Sequence, residues 1–285
     1  MELRAPGKRD ITLGPVTPNV ATEAQYKRAL KKAVTQMAAS YEWWLKARYR
    51  VAVEANADVL PEMAHDAKTG KGAASALYRE LTKLRKYWTN YFNNLASELA
   101  PKTVDQWYQD NSVSWGGKLR RAGFDVEMKP TEAQKLIISA KVTENVALIK
   151  SIQQDYHTQV EGIVLRGFLA GRDLATVAAQ LKERHGVSVS RAALIARDQS
   201  NKATAQMNAA RQKELGLNRA VWIHSSAGKV PRKSHLDAGR QRREFDTQVG
   251  IDFHDGFGPV LPGEAINCRC MGRTIIPAIG RGAKD

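Results

Sequence analysis

The sequence predicts an α+β fold: a mainly helical N-terminal half with a long helical hairpin, then further helices followed by a small antiparallel sheet. Three observations carry this. Apolar residues recur at three- and four-residue steps over most of the chain, the period of an amphipathic helix. After Gly216 the pattern changes to short alternating runs rich in bulky residues, as strands require. The composition is globular, with 43% hydrophobic and 26% charged residues among 285, which excludes a disordered chain.

The elements follow in order. Residues 1–21, opening "MELRAPGKRDITLGPVTP", are polar and broken by proline, and read as a flexible arm. From Thr22 to about Asn56, Tyr26, Leu30, Val34, Met37, Tyr41, Trp44 and Leu45 form one stripe. "DVLPEMAHDAKTGKG" interrupts it. Leu77, Leu81, Leu84, Trp88, Tyr91 and Leu95 then alternate at four and three residues, a coiled-coil seam, so the two helices pair as an antiparallel hairpin. Pro101 begins a third helix carrying Val104, Trp107 and Tyr108, because a helix start tolerates the missing N–H.

"FDVEMKPTEAQ" is the strongest boundary in the chain. It separates a helical hairpin region, residues 22–128, from a second domain, residues 129–278, with a frayed tail at 279–285. In the second domain Thr131 is an N-cap, and Gly171 sits at a helix C-terminus. A short helix from Asp173 to His185 is closed by Gly186, and Ser190 caps another that Gly216 ends. "RAVWIHS" and "INCRCMGRTIIP" are two strands flanking a long basic loop, and are expected to pair antiparallel.

Charge narrows the partners. The net charge of +15 favours a polyanion, most often nucleic acid. Lys229, Arg232, Lys233, Arg240, Arg242 and Arg243 crowd one loop against the single acid Asp237. That suits non-specific phosphate contact with double-stranded DNA. No apolar run approaches the ~18 residues of a membrane span, so a soluble protein with no membrane partner is expected. The only two cysteines, Cys268 and Cys270, cannot build a disulfide framework and point to a reducing compartment.

Those cysteines raise the question of chemistry. In a strand, residues two apart share a face, so both thiols project together with Arg269 opposite. With His224, His235 and His254 they supply enough N and S donors for zinc, but Cys-x-Cys is an uncommon spacing and the histidines are scattered. Two packed thiols without a metal, and no cofactor, are the expectation. Ser234, His235 and Asp237 are too close in sequence for a catalytic triad. A metal-dependent nuclease or hydrolase using His235 and the Cys268/Cys270 pair is the alternative, weakened by a final strand that leads to proline rather than a helix.

The ordered series "IARDQSNKATAQMNAARQKELG", "VWIHSSAGKVPRKSH", "AG" and "LPGEAINCRC" resembles the C-terminal domain of Mu F-like phage minor head proteins, the phage head morphogenesis family. The resemblance runs from about Asn145 to Ile276. Arg197 and Asn201 match its helix motif, and Trp222 its strand tryptophan. Arg232 and His235 match its R-x-x-H pair, with Gly239 after them. Pro262, Gly263, Asn267, Cys268, Arg269 and Cys270 match its closing P-G and N-C-R-C. Lys233 and Asp198-Gln199 depart from the usual residues. The resemblance implies a minor capsid protein without enzymatic activity, inside the virion head and in the host cytoplasm during assembly. It implies the portal or major capsid protein as partners and a part in DNA packaging or delivery. It also implies that "INCRC" is a structural signature.

Overall fold

The computed structural model describes residues 9–54, 73–226, 230–256 and 258–278. In chain order it contains β1 (Ile11–Thr12), α1 (Val20–Glu54), α2 (Ala73–Arg121), α3 (Glu132–Leu169) and α4 (Leu174–Glu214). Then come β2 (Arg219–Ile223), α5 (Lys233–Arg240), β3 (Glu244–Asp246), β4 (Ile251–Asp252), β5 (Pro259–Val260) and β6 (Met271–Ile276). The α+β expectation holds: long helices lead to a small antiparallel sheet. The interruption at "DVLPEMAHDAKTGKG", the tail 279–285 and Lys229 lie outside the described residues.

Two punctuation signals do not end helices. Pro101 lies inside α2. Its ring is on the exposed side, as is Ser97, whose carbonyl loses its partner there and can turn to water. Gly186 and Ser190 lie inside α4. Leu181, Ser188, Ala192 and Ile195 keep one buried side through the glycine, and that burial outweighs a propensity cost of ~1 kcal/mol. Gly171 and Gly216 do end helices, at φ 61° and 68°, where a Cβ would be strained.

The chain groups into two compact units, both of which draw on the 22–128 and 129–278 segments. One comprises Tyr26–Ala100 and Glu144–Ile195, and its described residues are helical apart from the turn between α3 and α4. The predicted stripe of α1 is buried throughout, from Tyr26 to Leu45. Its tyrosines meet α3 rather than α2 alone. Tyr26 Oη donates to Asn145 Oδ1 at 2.9 Å and Tyr41 Oη lies 2.6 Å from His157 Nδ1. Both partners rise together in number, so α1 and α3 run parallel. On α2 the predicted Leu77, Leu81 and Trp88 are buried, but beyond them Phe92 and Ala96 take the buried positions while Tyr91 and Leu95 are half-buried. A strict heptad drifts on a straight helix, and the buried row follows four-residue steps instead.

The other unit comprises Met1–Gln25, Pro101–Thr143 and Ala196–Asp285. Its sheet has the order β1-β6-β2-β3, each neighbour antiparallel. The expectation of a flexible arm over 1–21 is corrected for the described part. Ile11 pairs with Ile276 and Thr12 with Ile275. Leu13 and Val16 join Trp115, Leu119, Phe124, Leu215, Leu217 and Ile276 in one buried cluster. Few apolar residues sit in this stretch, but Ile11, Leu13 and Val16 land in a core assembled from distant segments. Asn208 ties it together: its Oδ1 accepts from Trp115 Nε1 at 2.9 Å and Asn111 Nδ2 at 2.8 Å, and its Nδ2 donates to Val16 O at 3.2 Å.

A fragment of residues 129–278 lacks Leu13, Val16, Trp115, Leu119 and Phe124 from that cluster. It is expected to show no cooperative thermal transition, whereas the full chain does; near-ultraviolet circular dichroism during heating measures both.

His157 makes one unit pH-sensitive. Burial, reinforced by the Arg85 guanidinium, lowers its pKa from 6.5 to about 4. Between those values the unfolded chain binds the proton and the folded chain does not, so stability falls as pH drops through that window. The loss is about 2 kcal/mol after discounting for solvent screening. Urea unfolding at pH 7 and pH 4.5 should show it, and His157→Gln should shrink the difference.

Candidate functional site

The site is built on a short helix that the sequence left as loop. α5 is preceded by Arg232, which has extended backbone and makes no side-chain cap, and is followed by Gln241, whose N–H donates to Asp237 O. His235 and Ala238, three apart, form its buried face. Arg243 O then accepts from Trp222 N at 2.9 Å, which fastens the exit of α5 to β2. Gly239 permits the approach: a Cβ there would lie 2.6 Å from His224 Cβ and 2.8 Å from its backbone N.

His235 is sandwiched among aromatic rings. Phe253 stacks on it at 4.5 Å between centroids, and Trp222 meets it edge-on at 5.1 Å. Trp222 also contacts Phe245 at 5.9 Å and Phe253 at 5.2 Å. His235 is 3% exposed. Its Nε2 has no hydrogen-bond partner among the described residues, an arrangement that costs about 1–3 kcal/mol.

The closing motif reaches His235 by a turn. Leu261 N donates to Glu264 Oε2 at 3.1 Å and Cys268 N to Ala265 O at 2.9 Å. Asn267 then takes φ 60°, a conformation asparagine tolerates better than most residues. α4 holds it there twice: Arg197 Nη2 donates to Asn267 Oδ1 at 2.9 Å, and Asp198 Oδ1 accepts from Asn267 N at 2.8 Å. Lys202 pairs with the other Asp198 oxygen at 2.8 Å. The chain beyond Asn267 is aimed at α5.

Cys268 and Cys270 are therefore not on a strand, as the spacing suggested. They precede β6, in irregular backbone. Both are buried, and both still face the same way, toward His235. Cys268 Sγ lies 3.5 Å from His235 Nδ1 and Cys270 Sγ 3.8 Å from it. Gly263 N donates to Cys268 Sγ at 3.4 Å. The hydrogen bond from Cys270, then those from His235 and the nearby backbone, pull the Cys268 thiol below its ordinary range. The same Cys268 contact and burial push Cys270 up. A cavity of about 300 Å³ opens beside them, lined by His224, Ser225, Arg232, Asn267 and Arg269 among others.

The remaining candidates divide. Among the motif residues, Asn201 bonds back to Arg197 O at 2.9 Å. Gly263 has φ 91° and packs near Asn201 O, while Pro262 is half-buried. Arg232 Nη2 donates to Ile266 O at 2.9 Å. His254 is not part of the cluster: its side chain is 88% exposed and lies 3.6 Å from Asp252. His224 lines the cavity, but its Nδ1 accepts from Ser226 N. Of the basic loop, Arg232, Lys233, Arg240, Arg242 and Arg243 are exposed. Arg240 has a long 3.9 Å pairing with Asp237. Sequence reasoning missed Asp198 and Phe253 as site members. Nothing local marks Asp198, since its partner lies 69 positions away.

Gly239→Ala should destabilise the chain by about 1–3 kcal/mol, the usual range for overpacking. A shift in the urea midpoint at unchanged slope is the measurement, and an unaltered midpoint would mean that His224 moves aside freely.

Residues 158–273 match the family model described as phage Mu protein F-like protein, so the resemblance read from the motifs is found again over that stretch. A protein of Haemophilus influenzae described only as uncharacterized is 27% identical over 263 residues, 90% of this chain and 54% of the relative. An NAD(+)–arginine ADP-ribosyltransferase EFV of Enterococcus faecalis is 27% identical over 123 residues, 41% of this chain and 25% of the relative. The chain thus spans about half the length of the first relative and a quarter of the second. No solved structure matches the chain significantly.

Proposed function

Starting from a phage Mu protein F-like module over residues 158–273, we propose that the chain is a minor capsid protein of a tailed phage. It serves head assembly from inside the head, near the portal or the inner shell, and acts as a structural component rather than an enzyme. It aids DNA packaging or delivery and is made in the host cytoplasm before it enters the virion. The observation that carries this reading is the convergence of the motif residues. Arg197, Trp222, His235, Gly239, Asn267, Cys268 and Cys270 come from α4, β2, α5 and the final turn and converge there, with Trp222, His235, Cys268 and Cys270 buried. Motif residues that tie four separate segments together suit a structural protein.

The alternative of a metal-dependent nuclease or hydrolase is not favoured. His235, Cys268 and Cys270 are all buried, out of reach of a duplex backbone. The ADP-ribosyl transfer named for the Enterococcus relative stays with that protein, which shares only a quarter of its length with this chain.

Contact with double-stranded DNA is the second part of the proposal. A protein enclosed with a packaged genome is surrounded by phosphate, and its own charge of +15 suits that setting. Arg232, Lys233, Arg240, Arg242 and Arg243 are exposed around α5, and Lys229 belongs to the same basic run. Protein contact falls to the helical region. Among the six tryptophans Trp43 alone is exposed, at 73%, and tryptophan is enriched at interface hot spots. No described helix is long and apolar enough to cross a membrane, and no membrane partner is proposed.

Co-expression with the portal and major capsid proteins of the same genome tests the assignment. The chain should sediment with assembled shells, and Trp43→Ala should reduce its share; a chain that stays wholly unassembled with both partners overturns the head role. In parallel, contact with ~4 phosphates gives a slope of log K against log salt near −3.6. Replacing Arg240, Arg242 and Arg243 with alanine should flatten that slope, and an unchanged slope removes α5 from the DNA contact.

A further inference from the structure

The sequence expectation for the cysteines was two packed thiols. Their placement against His235 supports more. We propose that His235 Nδ1 and the sulfurs of Cys268 and Cys270 bind one zinc ion, with the fourth coordination position turned to the adjacent cavity.

The geometry is the first argument. The three donor atoms lie within 4.8 Å of one another. In a tetrahedral zinc site, with bonds of about 2.3 Å to sulfur and 2.0 Å to nitrogen, an S–N edge is about 3.6 Å. The two S···Nδ1 separations here are 3.5 and 3.8 Å. Both sulfur–nitrogen edges of the site thus already have the length that a zinc ion requires.

The donor set is the second. Two thiolates and one imidazole are soft and borderline ligands, which select zinc over magnesium or calcium. Gly263 N–H points at Cys268 Sγ at 3.4 Å, the kind of outer contact that steadies a metal-bound thiolate. His235 is held by Phe253 and Trp222 with Nδ1 toward the sulfurs. A metal at Nδ1 places the ring proton on Nε2 and fixes one tautomer. Ordinary packing of two thiols requires neither the imidazole nor its orientation.

The topology points the same way. His235 stands 33 and 35 positions before the cysteines, on a short helix with no side-chain cap. An ion shared by α5 and the segment before β6 cross-links them, and its binding energy becomes folding energy. The site is thus structural: it holds α5, whose outer face carries Lys233 and Arg240, in one position on the sheet. His254 is excluded as a ligand by its exposure, and His224 is not among the converging donors. Among the described residues the fourth ligand is therefore water or a donor brought by another molecule.

The test uses the full chain, without a histidine tag, reduced, freed of metal by chelator and shown to be folded by circular dichroism. Titration with Zn²⁺ against a chromophoric chelator should give one ion per chain. Titration with Co²⁺ should give the visible bands of a tetrahedral site together with a thiolate-to-cobalt charge-transfer band. Cys268→Ser, Cys270→Ser and His235→Gln should each abolish the charge-transfer band or sharply weaken it, while His254→Ala leaves it intact. Zinc should raise the melting temperature of the wild-type chain. A folded, reduced wild-type chain that takes no zinc from the chelator overturns the proposal whatever the variants do, as does a cobalt spectrum without thiolate bands. Neither result bears on whether the chain enters phage heads.

Discussion

The turn at Asn267 is the constraint on which the C-terminal architecture depends. A left-handed residue other than glycine costs about 1–2 kcal/mol, and here two hydrogen bonds from α4 hold it. Arg197 and Asp198 are adjacent on that helix and grip the side chain and the backbone of the same residue. The turn delivers the thiols to His235 and then releases the chain into β6. β6 is an inner strand, paired with β1 on one side and β2 on the other. Its register sets Gly272 opposite Trp222, and Phe245 fills the space that the glycine leaves. An error in the turn would shift every one of these contacts.

The start of the chain is the second long-range tie. Asp10 accepts from Ala278 N at 3.1 Å and pairs with Arg219 at 3.2 Å. β1 closes the edge of the sheet that β6 would otherwise expose, which removes a site for unwanted strand pairing. Buried polar groups act as the joints. Arg211, 1% exposed, pairs with Glu214 at 3.0 Å and reaches Lys129 O, and Gln212 Nε2 donates to Thr274 Oγ1 at 2.8 Å. Lys129 and Thr274 lie far from their partners in sequence, while Glu214 is local. These bonds tie α4 to the segment before α3 and to β6.

α5 serves two faces at once. His235 and Ala238 point into the sheet, while Lys233 and Arg240 stay in solvent. In the proposed head protein the inner face belongs to the fold and the outer face to phosphate. That division explains how a motif can be both a structural signature and part of a basic surface. It also separates the thiols, buried under Trp222 and Phe253, from the charges that meet the polyanion.

Local pattern in the sequence determined the helix stripes, the ends at Gly171 and Gly216, the strand around Trp222 and the order of the motif residues. Each of these is a short-range property: a periodicity, or one residue whose backbone freedom a cap requires. Only the tertiary structure decided that α2 runs through Pro101 and α4 through Gly186, that Ile11 and Thr12 form a strand, and that the cysteines precede β6. At Pro101 and Gly186 the packing of the long helices outweighed a local preference of ~1–3 kcal/mol, and at β1 and the cysteines the partners lie far away in sequence. The meeting of His235 with Cys268 and Cys270 belongs to the same class. It depends on the angle of one turn, held by two residues of a helix about seventy positions earlier, and no periodicity records an angle.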